Sequence, residues 1–169
     1  MFGRVLVVLA CLALAASLAG CGNTESRSRS TIGATASARP CRNLAAARKI
    51  LVIRHAPAGS NVRFDFPSTV KINDPALVEE LSALVCRLPA AGRGPYSCPA
   101  DMDITYAIRF ARDGRTSLDV VVQATGCQFV TGASEPRSAV TTPTFWTALG
   151  SAMGIQRATV ATFHGTPHT

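Results

Sequence analysis

The sequence has few charged residues and lacks a long hydrophobic run. Charged residues make up 16% of the 169 positions and hydrophobic ones 47%, a balance that excludes an intrinsically disordered chain. The longest apolar stretch, residues 5–18, is shorter than the roughly 20 residues that a membrane-spanning helix needs. No Cys-x-x-Cys or His-rich spacing is present, so no zinc site, other metal site or cofactor is expected. The length suits one ordinary domain.

The first 20 residues have the pattern of an export signal. Arg4 precedes the apolar stretch, no acid is present, and the stretch leads into Leu-Ala-Gly-Cys at 18–21. This ending resembles the lipobox of bacterial lipoproteins. The resemblance implies that Cys21 receives a diacylglyceryl group, becomes the first residue after cleavage, and anchors the protein at the extracytoplasmic face of the cell membrane. An ordinary secretory signal with an incidental cysteine is the alternative.

A polar tether, residues 21–40, follows the signal and precedes a single domain, residues 41–169. The tether is rich in Ser and Thr, has no apolar periodicity, and carries three arginines against one glutamate. This composition predicts a flexible, net basic spacer that lies close to an anionic lipid surface. The basic residues of the domain are dispersed and are not interleaved with aromatic residues, so we expect no nucleic-acid partner.

Two helices are predicted in the domain by their starting residues. Asp74-Pro75 combines a capping side chain with a first-turn proline, and four leucines between positions 77 and 88 follow at helical spacing. Thr142-Pro143 predicts a second helix, which Gly154 ends. Together with alternating segments elsewhere, these helices predict an α+β fold: a small, mainly antiparallel sheet with two packed helices.

The clearest strand pattern is a hairpin around Asp113-Gly114. Apolar residues alternate on both sides of this pair. A two-residue turn would put Ile108 opposite an aspartate, whereas a three-residue loop, 112–114, puts it opposite Leu118 and keeps the apolar face together. We therefore predict the three-residue loop. A last strand is predicted at 159–163, followed by a frayed tail.

Six cysteines become four in the domain, because Cys11 leaves with the signal and Cys21 is lipidated. Cys41, Cys86, Cys98 and Cys127 predict two disulfides, with three possible pairings. On the first helix, Cys86 lies opposite the leucine stripe, so a partner that arrives over the outside is easier to reach. The Pro- and Gly-rich segment that follows is able to bring Cys98 back. This favours Cys86–Cys98 together with Cys41–Cys127.

A strand that ends in Arg54-His55 looks like the opening of the histidine phosphatase superfamily. The resemblance implies that His55 accepts a phosphoryl group and Arg54 holds the phosphate, and His164 looks like the second histidine of that family. The second arginine element of the family has no clear match in this sequence. A phosphohydrolase is therefore the alternative function. The function that we prefer, a non-catalytic binding module, needs no catalytic residue.

Two further candidates are given structural roles. Asp101 and Asp103 precede a strand at Asp-x-Asp spacing, which suits turn capping better than a calcium site that needs six or more oxygens. Trp146, beside Phe145, is expected to lie in the core rather than in a ligand platform.

A broader pattern covers residues 66–154. Tyr-Ser-Cys-Pro-Ala-Asp at 96–101 and Ala-Thr-Gly-Cys at 124–127, with abundant Ala and Arg and only two lysines, resemble small exported lipoproteins of high-GC Gram-positive bacteria. This resemblance implies surface location and a compact disulfide-bonded domain. The cysteine–strand–cysteine layout is also similar to secreted subtilisin-inhibitor domains, which implies a protein-binding class. We therefore expect a non-catalytic accessory, sensor or inhibitor module, whose partners are the membrane and an unidentified protein or cell-envelope ligand.

Overall fold

The computed structural model describes residues 41–133 and 135–168, so the signal, Cys21 and the tether lie outside the described residues. Its elements, in chain order, are α1 (residues 41–45), β1 (Lys49–His55), β2 (Val62–Arg63), β3 (Thr69–Ile72), α2 (Pro75–Arg87), β4 (Thr105–Arg112), β5 (Arg115–Gln123), β6 (Phe129–Thr131), β7 (Arg137–Ser138), α3 (Pro143–Ala152), α4 (Val160–His164) and β8 (Thr166–Pro167). A six-stranded antiparallel sheet has the order β3-β1-β4-β5-β6-β7, and β2 pairs with β8. The α+β prediction is confirmed.

The hydrophobic core lies on one side of the six-stranded sheet. Ile108 on β4 lies between Val52 on β1 and Val120 on β5, and all three side chains are completely buried. The residues next to each of these along its own strand point to the other side of the sheet, because side chains alternate along a strand. We call the buried side the core face and the opposite side the outer face. Helices α2 and α3 contribute their buried residues to the same core cluster.

Both predicted helices are present at the positions that their starting residues indicate. The Asp74 carboxylate accepts hydrogen bonds from the backbone N–H groups of Ala76 and Leu77, which have no partner within the helix. Helix α3 begins with Pro143, and Gly154, at φ +79°, follows its last turn. The predicted helix boundaries are confirmed.

The hairpin between β4 and β5 is present, but its predicted three-residue loop is wrong. Arg112 pairs with Arg115, so the turn has two residues, Asp113 and Gly114. Their φ angles are 51° and 76°, as a type I′ turn requires. The turn twists with the strands, which makes it the favoured connection for a tight hairpin.

The predicted register is wrong for a related reason. Ile108 pairs with Val120 rather than Leu118, and β5 has one extra residue between Thr116 and Leu118. This β-bulge shifts all later pairs by one residue. The bulge therefore makes a two-residue turn compatible with a continuous apolar face. Without the bulge, the same turn would place Ile108 opposite an aspartate.

The end of the chain differs from the predicted strand and frayed tail. Residues 160–164 are helical, and Thr159 and Thr162 form a reciprocal capping box at the start of α4. Phe163 is completely buried. Beyond it, Thr166 pairs with Arg63 in the β2–β8 ladder, and the His168 backbone N–H donates to the Asn61 carbonyl at 2.8 Å. The buried Phe163 ring therefore packs the terminal segment against the rest of the domain.

Two disulfides are present, but the predicted pairing is wrong. Cys41 is bonded to Cys86, with Cα atoms 5.7 Å apart, and Cys98 is bonded to Cys127, with Cα atoms 4.9 Å apart. The pairs Cys86–Cys98 and Cys41–Cys127 are thereby corrected. As expected, the partner of Cys86 lies outside the leucine stripe. It comes from α1, however, which lines a common groove with α2.

The second disulfide follows from the hairpin itself. Thr105, the first residue of β4, pairs with Gln123, the last residue of β5. The segment that precedes β4 and the segment that follows β5 therefore leave the sheet from the same end. Cys98 and Cys127 lie in these two segments, so the hairpin brings them together.

Candidate functional site

The Arg54-His55 pair lies at the end of β1, and its two side chains belong to opposite faces of the sheet. Arg54 pairs with the buried Tyr106 of the core face, whereas His55 pairs with Thr105 and is exposed on the outer face. His164 lies on α4, which packs against the core face through its neighbour Phe163. The sheet therefore separates the His55 side chain from that of Arg54, so the two residues that carry the phosphatase resemblance do not share one site.

The Arg54 guanidinium closes the end of the core face. It lies 3.8 Å from the ring centre of Phe64 and 5.0 Å from that of Phe66, and its Nη1 donates a hydrogen bond to the Phe66 carbonyl at 3.1 Å. Burial lowers the pKa of Arg54, an effect that Tyr106 beside it partly offsets. The cation is therefore engaged by rings and a carbonyl, which gives Arg54 a packing role in this state.

Tyr106 continues this cluster into the core. Its hydroxyl donates a hydrogen bond to the Phe163 carbonyl at 3.0 Å, and the two rings pack edge to face with centres 5.2 Å apart. Burial raises the pKa of Tyr106 well above its ordinary value, and the nearby Arg54 opposes this effect only in part. The phenol thus fastens α4 to β4 in its neutral form.

Trp146 confirms its predicted place in the core. Its side chain is buried, its indole N–H donates to the Ala139 carbonyl at 3.3 Å, and its ring contacts those of Phe145 and Phe163. A buried indole whose N–H is satisfied by backbone serves packing rather than ligand binding.

A long exposed loop precedes β4 and is the best candidate for a binding site. Every residue from 92 to 103 is exposed, including two large apolar side chains, Tyr96 at 49% and Met102 at 42% exposure. The segment has no regular secondary structure. We call it the 92–103 loop. Loops that a rigid scaffold holds in place often carry binding residues.

The 92–103 loop is held at several points by the chain that follows β5. The Cys98–Cys127 disulfide fixes its middle. Near its end, the Met102 backbone N–H donates to the Thr125 hydroxyl at 3.1 Å, and that hydroxyl donates to an Asp101 carboxylate oxygen at 2.6 Å. The loop is therefore exposed and braced at the same time.

Three more contacts complete this brace. The same Asp101 oxygen accepts a hydrogen bond from the Asp103 backbone N–H at 2.9 Å, which confirms the predicted turn capping. A Cβ at Gly126, where φ is +66°, would come within 2.8 Å of the Asp101 carboxylate, so the close approach requires glycine. At the other end of the loop, the Tyr96 ring packs edge to face on Phe129, with centres 4.9 Å apart.

Thr125 and Gly126 were not assigned a role from the sequence. The Ala-Thr-Gly-Cys motif contains both, and its position just after a predicted strand was the available signal. Their role depends on the approach of Asp101, which lies 24 positions away in the chain. The hairpin places the two flanking segments at the same end of the sheet, and the Cys98–Cys127 disulfide joins them there.

A surface cleft of about 540 Å³ lies beside Phe64 and Phe66. The connection between α3 and α4 forms its other wall, through Met153 and Ile155. The Arg63–Asp65 ion pair at its edge is exposed, with a 3.6 Å separation. Solvent screens such a pair, so it adds little to binding.

Within the described parts of the chain, no three His, Cys, Asp or Glu side chains are grouped to hold a metal ion. None of the helices described has the length and hydropathy of a membrane span. The chain matches no protein-family model, and neither the curated proteins nor the solved structures contain a significant match to it.

Proposed function

We propose that this chain is a lipid-anchored, extracytoplasmic binding protein that recognises another protein through the 92–103 loop. The observation that carries the proposal is the combination of full exposure with bracing by the Cys98–Cys127 disulfide and the Asp101–Thr125 contacts. The similarity of the cysteine–strand–cysteine layout to secreted subtilisin-inhibitor domains supports a protein as the partner.

The brace has a physical consequence for binding. A flexible loop loses conformational freedom when a partner immobilises it, and this loss opposes association. The disulfide and the hydrogen bonds of Thr125 restrict the loop before any partner arrives. Tyr96 and Met102 are residue types that are enriched in protein interfaces, and they are 49% and 42% exposed.

The anchor is proposed from the lipobox at 18–21, which lies outside the described residues. Two acyl chains on Cys21 would give stable attachment, because each buried methylene group adds about 0.8 kcal/mol of membrane affinity. The domain would then present its loop outside the cytoplasmic membrane. Accessory, sensor and inhibitor roles all use this arrangement.

The test is site-specific photo-crosslinking in the membranes of the producing bacterium. A photoreactive residue at Ala100, in the middle of the exposed loop, is compared with one at Thr144, an exposed residue of α3. We expect a discrete crosslinked protein from position 100 alone. Thr125→Val removes the hydroxyl that braces the loop, and we expect it to reduce that product by about tenfold.

The loop, the anchor and the inhibitor role are tested by separate outcomes. Equal products from positions 100 and 144, or none from position 100, count against the loop. Membrane retention of the Cys21→Ala variant counts against the lipid anchor but not against the loop. Purified subtilisin is the first defined probe for an inhibitor role: stoichiometric loss of its activity selects that role, and undiminished activity leaves the accessory and sensor roles.

A further inference from the structure

The outer face of the sheet carries both lysines of the chain. Lys71 on β3 and Arg109 on β4 pair with Leu51 of β1 from its two sides, so the three residues form one row across the sheet. Lys49 lies two residues before Leu51 on the same face. Positions that are dispersed in the sequence thus become a cluster of three cations around one partly exposed leucine.

These residues line a groove of about 290 Å³, which we call the lysine groove. Its lining includes Lys49, Leu51, Lys71, Arg109 and Ala111, and none of its lining residues is acidic. Asp119 is the neighbouring acid on β5 and pairs with Arg109 at 3.5 Å, with both side chains about half exposed. Neither lysine forms an ion pair with the described residues.

Other nearby acids are already engaged. Asp113, in the adjoining turn, interacts with Arg112 at 3.2 Å, and Asp74 caps the start of α2. The two lysines, which have no ion-pair partner among the described residues, therefore keep the lysine groove positive around apolar surface that includes Leu51 and Ala111. Long basic side chains around apolar surface suit the boundary between lipid headgroups and acyl chains, where the ammonium groups stay at the headgroups.

The preceding chain joins the domain at the same end of the sheet. In the proposed lipidated chain the tether, residues 21–40, leads into α1. The Arg48 backbone N–H then donates to the Ala111 carbonyl, at the edge of the lysine groove, at 2.9 Å. The 92–103 loop, by contrast, precedes the start of β4. Since β4 has eight residues, its two ends are about 25 Å apart.

We propose that the lysine groove docks on anionic phospholipid headgroups of the membrane that carries the protein. This proposal rests on the proposed lipid anchor, which would hold the groove at high local concentration beside the lipid. An anionic leaflet attracts clustered basic side chains, and the attraction falls within a Debye length. Docking at the lysine groove leaves the 92–103 loop, which lies beyond the other end of β4, outside the contact with lipid.

Because Lys49 and Lys71 are the only lysines, amine acylation reports on the lysine groove directly. The lipidated full chain is reconstituted in nanodiscs of phosphatidylcholine, with or without phosphatidylglycerol, and the acetylation rate of each lysine is followed by mass spectrometry. We expect phosphatidylglycerol to slow both reactions by about fivefold or more, and high salt to restore them.

Arg87→Lys supplies the matched control, because it places an amine on the exposed side of α2, away from the outer face. Its acetylation is expected to be equal in both bilayers. Equal rates for Lys49 and Lys71 in both bilayers, or equal slowing at position 87, would overturn the proposal. Protection by inorganic phosphate without lipid would overturn it too, because it would indicate a small-anion site.

Failure of the anchor is distinguishable from failure of docking. A chain that does not co-purify with nanodiscs argues against lipidation at Cys21. The same labelling is then done on the free full chain mixed with phosphatidylglycerol vesicles, where slowing of both lysines supports the lysine groove and unchanged rates overturn it.

Discussion

The two faces of the six-stranded sheet are made by the same strands but have different compositions. On the core face, residues such as Ile50, Val52 and Ile108 are completely or almost completely buried. On the outer face, apolar residues such as Leu51 and Val121 remain partly exposed, and Leu51 lies between Lys71 and Arg109. One strand thus supplies both the core and a surface.

The core face and the outer face therefore contribute to different properties, the first to folding stability and the second to interaction with other molecules. Substitutions on the core face remove buried contacts, which makes them costly to the free energy of unfolding. Substitutions on the outer face act on solvated groups, whose contributions to folding are small. Even a cation contributes to packing on the core face, since the Arg54 guanidinium lies against two phenylalanine rings. If the comparison is sound, matched changes on the two faces will have unequal effects.

The largest effect is expected from Phe163→Ala. The Phe163 ring is completely buried and contacts the rings of Tyr106, Trp146 and Phe66. Truncation of such a ring lowers the free energy of unfolding by about 3–5 kcal/mol, measurable by urea denaturation. Phe163→Leu is the control and is expected to retain most of the stability. An equal loss in both variants would show that ring shape, rather than buried volume, holds α4.

A neighbouring pair of valines gives the sharpest comparison of the faces. Val120 is completely buried on the core face, whereas Val121, the next residue of β5, is 39% exposed on the outer face. We expect Val120→Ala to cost about 2 kcal/mol and Val121→Ala less than about 1 kcal/mol, because only the first leaves a buried cavity. Urea unfolding of both variants checks this. Similar losses would contradict the assignment of the faces.

Features with a local cause were predictable from the sequence. The start of α2 follows from Asp74-Pro75, because the capping bonds involve only the next few residues. The location of the hairpin follows from alternation around Asp113-Gly114. Its register was missed because a single extra residue in β5 changes every pair beyond it, and regular alternation does not reveal a bulge.

Features that depend on distant segments were not predictable in the same way. β8 pairs with β2, about a hundred positions earlier in the chain, so the short Thr166–Pro167 strand has no local signal. The Cys98–Cys127 pairing is an intermediate case, since the predicted hairpin already placed the flanking segments at one end of the sheet. The lysine groove depends on the strand order, which alternation alone does not give.

The smallest of the core-face effects at neutral pH is expected for Tyr106→Phe, which also has a distinctive pH dependence. The variant loses the hydrogen bond to the Phe163 carbonyl and is expected to lose about 1 kcal/mol. Because burial raises the pKa of Tyr106 in the folded protein, the unfolded chain loses this proton first as the pH rises. Between the two pKa values the folded state binds more protons, so the stability of the unmodified protein falls from about pH 10 upward.

Tyr106→Phe removes this alkaline decline, so the stability difference between the two proteins is expected to shrink as the pH rises above about 10. Urea unfolding midpoints measured from neutral to alkaline pH check the trend. Tyr96→Phe is the matched control, because it leaves Tyr106 and its bond to Phe163 in place and therefore keeps the decline. A constant difference between the Tyr106→Phe variant and the unmodified protein at every pH would mean that the core face is open to water at its Arg54 end.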